Sequence, residues 1–349
     1  MKAVRFHGRG DVRVDDVDPP AAPEAHEVQI EVLACGLCGT DAEEFRTGPH
    51  FIPTRPHPLT GRAMPLTIGH EFAGLVVQAG GEVRSPRIGD LVAISPDTAC
   101  GRCRWCRGGR PNLCAQLASL GLHADGGLAE RCNVPAANAV VLPDGVSPEA
   151  GALIETVAIA VAALRRGRLA AGDRVAVIGG GAVGLLCAQA ARASGAHGVV
   201  VVEPLPERIA VGQRLGLEVV PPDASADLPV DLVIECSGAG SGFSSAMHLA
   251  GPGGRVVVVG IHGEPRQVDL LRLVECEIEV IGSMSYLFAD DYTRAAGLVG
   301  TGEVDAGAIV TSRVPLARAV SDGLLGIVER PQDDVKVVVV PHLATEAGA

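Results

Sequence analysis

The stretch from Asp173 to Pro204, DRVAVIGGGAVGLLCAQAARASGAHGVVVVEP, restricts the fold of this chain more than any other. An apolar run, Arg174 to Ile178, leads into Gly179, Gly180, Gly181, Ala182, Val183 and Gly184; an alanine-rich segment follows, then a valine run ending at Glu203. This reads as a buried strand, a glycine turn that opens a helix, and a second strand. A bare GxGxxG is a weak signal, but one placed between strand and helix and trailed by an acid about 20 residues on fits a dinucleotide site. Gly179 permits the tight turn, Gly181 the approach of a pyrophosphate to the helix N-terminus at Ala182 and Val183, and Gly184 close packing of helix on strand. Glu203 would accept hydrogen bonds from ribose hydroxyls and repel a 2′-phosphate, which favours NAD. Arg208, just past that strand, would serve such a phosphate or stack on adenine, so NADP stays open.

Further strands at VDLVIECSG, GRVVVVG and EIEVIGS alternate with helical segments such as FSSAMHLAG, the rhythm of a doubly wound parallel sheet. A chain of 349 residues exceeds one ordinary core and suggests two domains. Up to about Pro143 the sequence is β-like: HEVQIEVLACG, FAGLVVQAG and DLVAIS are separated by Gly, Pro and Asp turn signals, as in an irregular barrel whose loops carry chemistry. At SPEAGALIETVAIAVAALRRG, Ser147 and Pro148 cap a helix that enters the second domain. After Asp290 come a helical stretch, VTSRVPL, a helix near Ala317 to Arg330 and the strand VKVVVVP, which return to the first domain. The expected division is therefore residues 1–150 with 291–349, and residues 151–290.

A formal charge of −12 argues against nucleic acid and anionic membrane surfaces as partners, since both need a basic face. No apolar run approaches the roughly 20 residues that span a bilayer, and MKAVRFHGRGD has no secretory pattern, so a soluble, cytoplasmic protein is expected. Lys2 and Lys336 are the only lysines, a bias assigned to coding composition. Ten cysteines in such a compartment read as metal ligands or buried thiols rather than disulfides.

CGRCRWCRGGRPNLC, within a lobe at about 96–116, spaces Cys100, Cys103, Cys106 and Cys114 for a closed tetrahedral zinc site, against the alternative of an iron–sulfur cluster with different spacing. Four thiolates leave no open position, so this metal is structural; Arg102, Arg104 and Arg107 would moderate its charge. Cys38 in CGLCGTD and His70 in GHE supply the mixed ligand chemistry of a zinc site with room for a substrate. Cys35 and Cys38 form a CxxC, but Gly39, Thr40 and Asp41 are expected in a loop rather than a helix, which disfavours a redox pair. Cys35, Cys132, Cys187, Cys236 and Cys276 are expected as buried thiols. Glu155, inside an apolar helix, needs a partner, for which a metal or its water is suited, against the alternative of an exposed carboxylate.

CGLCGTD, GHE, the four-cysteine lobe, ALIET and GGGAVG together resemble the zinc-containing medium-chain dehydrogenase/reductase (alcohol dehydrogenase) family across essentially the whole chain. Within it, GPHFIPTRPHPLTGRAMPLTIGHEFAG and DAGAIVTSRVPLARAVSDG look like bacterial 2,3-butanediol and polyol dehydrogenases. The resemblance implies a GroES-like barrel beside a Rossmann domain, two zinc ions per chain, and hydride transfer between NAD and a vicinal diol or α-hydroxyketone. It implies Cys38 and His70 as catalytic zinc ligands, with Glu71 or Glu155 able to coordinate directly or through water. Asp41 would orient the ligand histidine, and Thr40 would bond the substrate oxygen and begin proton transfer. Relatives carry a histidine five residues after the ligand cysteine; Glu43 stands there, followed by Glu44, as a substitute relay or as surface acids. His50 and His57 are expected as structural. Other polar alcohols remain alternatives: a sugar alcohol, threonine, an amino-cyclitol or a specialised metabolite. So does a zinc- and nucleotide-binding protein without catalysis. A homo-oligomer, dimer or tetramer, is implied, with the strand around Glu277 to Gly282 as its edge.

Overall fold

The computed structural model describes residues 1–225 and 230–343, and the chain divides into two compact units. The first comprises Met1–Glu155 with Val310–Ala349, of which residues 344–349 lie outside the described ones; the second is Thr156–Ile309.

The first unit is built on a sheet with strand order Ala139–Val141, Leu91–Ile94, Glu71–Ala79, Glu27–Gly36, Val337–Val340 and Ser312–Pro315; Arg131–Pro135 also pairs with Glu27–Gly36. Its pairs are antiparallel except the last, which is parallel. A smaller sheet joins Asp11–Asp16, Lys2–Gly8 and Leu66–Thr67. The two pack around Phe6, Ile30, Phe72, Ile94, Leu128 and Val339, all fully buried. Each such side chain contributes about 2 to 3 kcal/mol by leaving water. The central strand carries register shifts between Gln29 and Ile30 and between Val32 and Ala34. Bulges of this kind re-aim the end of a strand, here the end that leads to Cys38.

The second unit is a six-stranded parallel sheet in the order Glu218–Val220, Gly198–Val202, Arg174–Ile178, Val230–Glu235, Ala250–Val258, Glu279–Gly282. Valine-rich strands suit a sheet covered on both faces, and Ala176, Val233 and Val256 at its centre are fully buried. The helix Ala182–Ala193 buries an unbroken run from Gly184 to Ala191 against it. Sequence order reverses between Arg174–Ile178 and Val230–Glu235, the switch point at which a ligand crevice opens. Among the described residues, no helix is long and apolar enough to cross a membrane.

Several boundaries differ from the sequence expectation. The chain returns to the first unit at Val310, not 291, because the segment between is tied to the second. Asp291 forms a two-pronged pair with Arg165 (2.7 and 2.8 Å), and the Asp305 N–H donates to Gln189 Oε1 at 2.8 Å. The helix capped by Ser147 is two helices, Pro148–Ala152 and Ile154–Arg166, and Glu155 remains with the first unit. The helix expected near Ala317–Arg330 is three short turns of different pitch. Gly323 lies there so close to Leu37 that an added Cβ would stand 2.7 Å from its Cδ1. Cys35, Cys132 and Cys187 are buried, whereas Cys236 and Cys276 are only partly so.

Candidate functional site

Cys38 leaves the Glu27–Gly36 strand and caps the helix Gly39–Thr47. The expected loop is therefore a helix, since Asp41 Oδ2 accepts the Cys38 N–H at 2.9 Å and closes the first turn. Cys35 is fully buried, and burial pushes its thiol well up. Thr40 Oγ1 lies 3.6 Å from Cys38 Sγ.

His70 arrives from the other side, aimed by Gly69. That residue has φ of +96° and no room for a side chain: an added Cβ would stand 2.6 Å from Leu128 Cγ and 2.8 Å from Cys35 Sγ. His70 Nδ1 faces Asp41 Oδ1 at 3.7 Å, too long for a hydrogen bond, and neither buried atom has another hydrogen-bond partner. With Nδ1 turned to Asp41, Nε2 is the ring atom left for a metal. Burial works against the charged imidazole, yet Asp41, with Cys38 and Glu155, outweighs it and holds His70 well above its usual range. Asp41 is itself pushed up by burial.

Glu71 is buried and forms an ion pair with the equally buried Lys336. Gly36 makes room for this, because an added Cβ would collide with Glu71 Oε2. Burial opposes the Lys336 charge, but Glu71, Cys38 and Glu155 raise it. Glu155 is buried, not exposed; burial, reinforced by Glu71 and Asp97 and opposed by His70, pushes its carboxyl up to about 8. Ligand atoms of Cys38, His70 and Glu71 lie within 4.8 Å of one another; Glu155 stands outside that set. A thiol, an imidazole and a carboxylate at such spacing match zinc bond lengths of about 2.0 to 2.3 Å. Three buried acids and a thiol face one histidine and one lysine, so the pocket holds more potential ligand groups than cationic side chains to pair them.

The lobe holds Cys100, Cys103, Cys106 and Cys114 with sulfurs within 4.8 Å of one another, Cys103 and Cys106 at 3.5 Å. The N–H groups of Cys100 and Gln116 both donate to Cys114 Sγ at 3.3 Å. Backbone N–H groups of Cys106 and Ala115 bring Cys103 down to about 6, while desolvation and the hydrogen bond with Cys103 push Cys106 up to about 12. Arg104 does not simply neutralise the lobe: its guanidinium stacks 4.2 Å above Trp105.

In the second unit Gly179 has φ of +98°, and an added Cβ on Gly184 would stand 1.8 Å from Gly179 O. The helix therefore begins close against its strand at Ala182 and Val183. Glu203 Oε2 accepts the Gly180 N–H at 2.6 Å and Oε1 the Leu205 N–H at 2.9 Å. The carboxylate thus braces the glycine turn and has lone pairs left for a ribose. Arg208 reaches over the same turn, 3.8 Å from the Cβ position of Gly181.

Glu43 and Glu44 part company. Glu43 is half-exposed; its Oε1 accepts from Thr47 Oγ1 at 2.5 Å, and Thr47 Oγ1 lies 2.7 Å from His50 Nε2. Glu44, expected at the surface with it, is buried: Oε1 accepts the His50 and Phe51 N–H groups at 3.0 and 2.7 Å, which fixes the following loop. His57 packs against His123 with ring centroids 4.8 Å apart, a structural role. Lys336 was not foreseen. Its signal was there, a lysine in a chain with only two, placed at the start of a four-valine strand.

Residues 24–144 match the alcohol dehydrogenase GroES-like domain family and residues 182–300 the zinc-binding dehydrogenase family. The chain is 34% identical to the (R,R)-butanediol dehydrogenase of Bacillus subtilis strain 168, over 98% of this chain and all of that one. The crystal structure of the 2R,3R-butanediol dehydrogenase from Bacillus subtilis superposes with TM-score 0.89 over 97% of this chain and 99% of the other, at 34% identity. A 2-dehydro-3-deoxy-L-galactonate 5-dehydrogenase of Pseudoalteromonas atlantica is 33% identical over 85% of this chain and 86% of its own. A structure from Sinorhizobium meliloti 1021, described as a zinc-binding dehydrogenase bound to NADP, matches at 33% identity and TM-score 0.87 over 97% of this chain and 99% of that one.

Proposed function

Because this chain belongs to the zinc-containing medium-chain dehydrogenase/reductase (alcohol dehydrogenase) family, we propose that it is an NAD-dependent oxidoreductase interconverting a secondary alcohol and its ketone. The substrate class we favour is a vicinal diol or α-hydroxyketone. The observation that carries the reading is the set of Cys38, His70 and Glu71 donor atoms within 4.8 Å, beside buried Glu155. A zinc held by these residues would supply a Lewis acid for the alcohol oxygen, and a dinucleotide at the glycine turn would supply the hydride acceptor.

The chain's own residues do the rest. Cys38 and His70 are the fixed ligands. Glu71, held by Lys336, and Glu155, whose carboxyl burial pushes up to about 8, are the carboxyls that would complete the shell or hold its water. Asp41, whose Oδ1 faces His70 Nδ1 at 3.7 Å, would orient the ring by its charge and close on Nδ1 when Nε2 holds the metal. Thr40 takes the proton of the substrate hydroxyl. Glu43, one turn further along the Gly39–Thr47 helix and on the same face, passes it outward through Thr47 toward His50. Cys100, Cys103, Cys106 and Cys114 hold a second zinc with no open position. Gly179, Gly181, Ala182, Val183 and Gly184 receive the pyrophosphate, Glu203 the adenosine ribose, and Arg208 flanks that turn. The buried Glu203 carboxylate repels a 2′-phosphate, which is why we assign NAD rather than NADP.

Strand Glu279–Gly282 is the open edge of its sheet, with Val280 exposed on it and Leu270, Leu271 and Val274 exposed on the preceding helix. An edge of this kind suits pairing with a second copy, and we assign the protein to a homo-oligomer.

The experiment is a substrate panel followed by NADH absorbance, with both butanediol enantiomers, acetoin, sorbitol and threonine, each with NAD and NADP. The highest kcat/KM is expected for a butanediol or acetoin with NAD. A maximum for sorbitol or threonine moves the protein to another polar alcohol, and a maximum with NADP overturns the cofactor assignment.

A further inference from the structure

Glu235 is the most heavily engaged buried acid of the second unit and belongs to neither metal group. It ends the Val230–Glu235 strand, in register with Ile178 on one side and Val258 on the other, so it lies at the switch point of the sheet. Its side chain is wholly buried. Oε1 accepts from the N–H of Ser237 (2.8 Å), the hydroxyl of Ser237 (2.5 Å) and the N–H of Gly238 (3.1 Å), which fixes the loop after its own strand. Oε2 lies 2.9 Å from His262 Nε2, and the Glu235 carbonyl accepts the N–H groups of Val259 and Gly260, both at 2.9 Å, which fixes the loop after the next strand. Arg266 Nε donates to His262 Nδ1 at 3.2 Å, an arrangement that leaves the Nε2 side of the ring to Glu235.

The surroundings are cut to fit this carboxylate. An added Cβ on Gly260 would stand 2.7 Å from Glu235 Oε2, and one on Gly242 would stand 2.1 Å from Ser237 Oγ. An added Cβ on Gly179 would stand 3.1 Å from Ser237 Cα, so the anchored loop abuts the glycine turn across the switch point. Between the two anchored loops Ile261 leaves 65% of its surface exposed. If the glycine turn takes the pyrophosphate and Glu203 the adenosine ribose, the remaining half of a dinucleotide runs over the ends of these next two strands.

We propose that Glu235 and His262 are positioning residues for the nicotinamide half of the cofactor: they lock the loops at Ser237–Gly238 and Gly260–His262 so that Ile261 meets the nicotinamide riboside. The inference rests on the dinucleotide reading above. The test compares equilibrium binding of NADH with that of ADP, which carries the adenosine and both phosphates but no nicotinamide riboside. For H262A the NADH dissociation constant should rise about tenfold or more, the scale of a lost hydrogen bond to a charged group, while that for ADP stays within about twofold. H262Q, whose amide reaches the Nε2 position and donates to Glu235, should recover most of the NADH affinity. Equal weakening of NADH and ADP in H262A, or no change in either, overturns the proposal. A wild-type protein that binds neither overturns the dinucleotide reading itself, and with it this inference.

Discussion

The two groups of candidate metal ligands in the first unit are built in opposite ways. The lobe draws its four thiols from a single short segment, leaves three of them only partly buried, and gives Cys114 Sγ two backbone N–H donors. The Cys38 group joins the end of one strand to the start of its neighbour, and it is buried among Asp41, Glu71, Glu155 and Lys336. A closed site needs only four like donors at fixed spacing. A site that must keep a position for substrate gives up a ligand, and it needs second carboxylates and a buried cation to hold the remaining donors in place.

That contrast can be broken by experiment. The largest effect is expected from exchanging the two kinds of cysteine. Cys38→Ser should lower kcat/KM by more than about a hundredfold, beyond the 10- to 100-fold typical of changes to outer partners, with a smaller loss of Tm than a change in the lobe causes. Cys103→Ser should do the reverse first, lowering Tm by about 10 °C as the lobe loses its metal, measured by calorimetry. Similar Tm losses in both variants would erase the distinction.

Next in size is Lys336→Met, which leaves Glu71 buried without its cation and should cost about 3 kcal/mol in denaturant unfolding; Glu71→Gln on top should return most of it. Smaller is a pH effect in the Cys38→Ser variant, where the buried acids face no catalytic metal. The folded-state pKa of Glu155, about 8, lies above its ordinary 4.5, so its contribution to stability is present below pH 4.5 and lost as pH rises through 8. Unfolding midpoints should fall across that window, and adding Glu155→Gln should flatten the slope. The smallest effect is expected at Glu43, on the half-exposed face. Glu43→Gln should alter the acid limb of the pH–rate profile for alcohol oxidation by less than about tenfold, and an unchanged profile hands the proton to bulk water.

What could be read from the sequence follows the same division. The lobe and the glycine turn are local: Cys100 to Cys114 and Arg174 to Glu203 each state their geometry within one segment, and the strand Arg174–Ile178 falls where its apolar run ends. The pairing of Cys38 with His70 was readable because both sit in short glycine-bearing motifs. The surroundings were not. Lys336 reaches Glu71 only because its strand returns beside Glu27–Gly36, a contact between residues far apart in the chain that no periodicity announces. Glu44 and Glu43 are adjacent acids, and only the turn at Gly48 sends one inside while the other stays half-exposed. Glu235 and His262 escaped for the same reason, since a lone acid and a lone histidine at strand ends become a pair only when the parallel sheet brings those ends together. The domain boundaries slipped where side-chain bonds, not pattern, decide which unit a segment joins, as at Asp291 and Asp305.

The most direct test of the central claim, one closed and one open zinc site in the same unit, is a zinc count per chain by elemental analysis on purified wild type and Cys38→Ser. Two zinc ions in the wild type and one in the variant, with activity lost, is the expected result. One ion per chain in both, with activity retained, contradicts it.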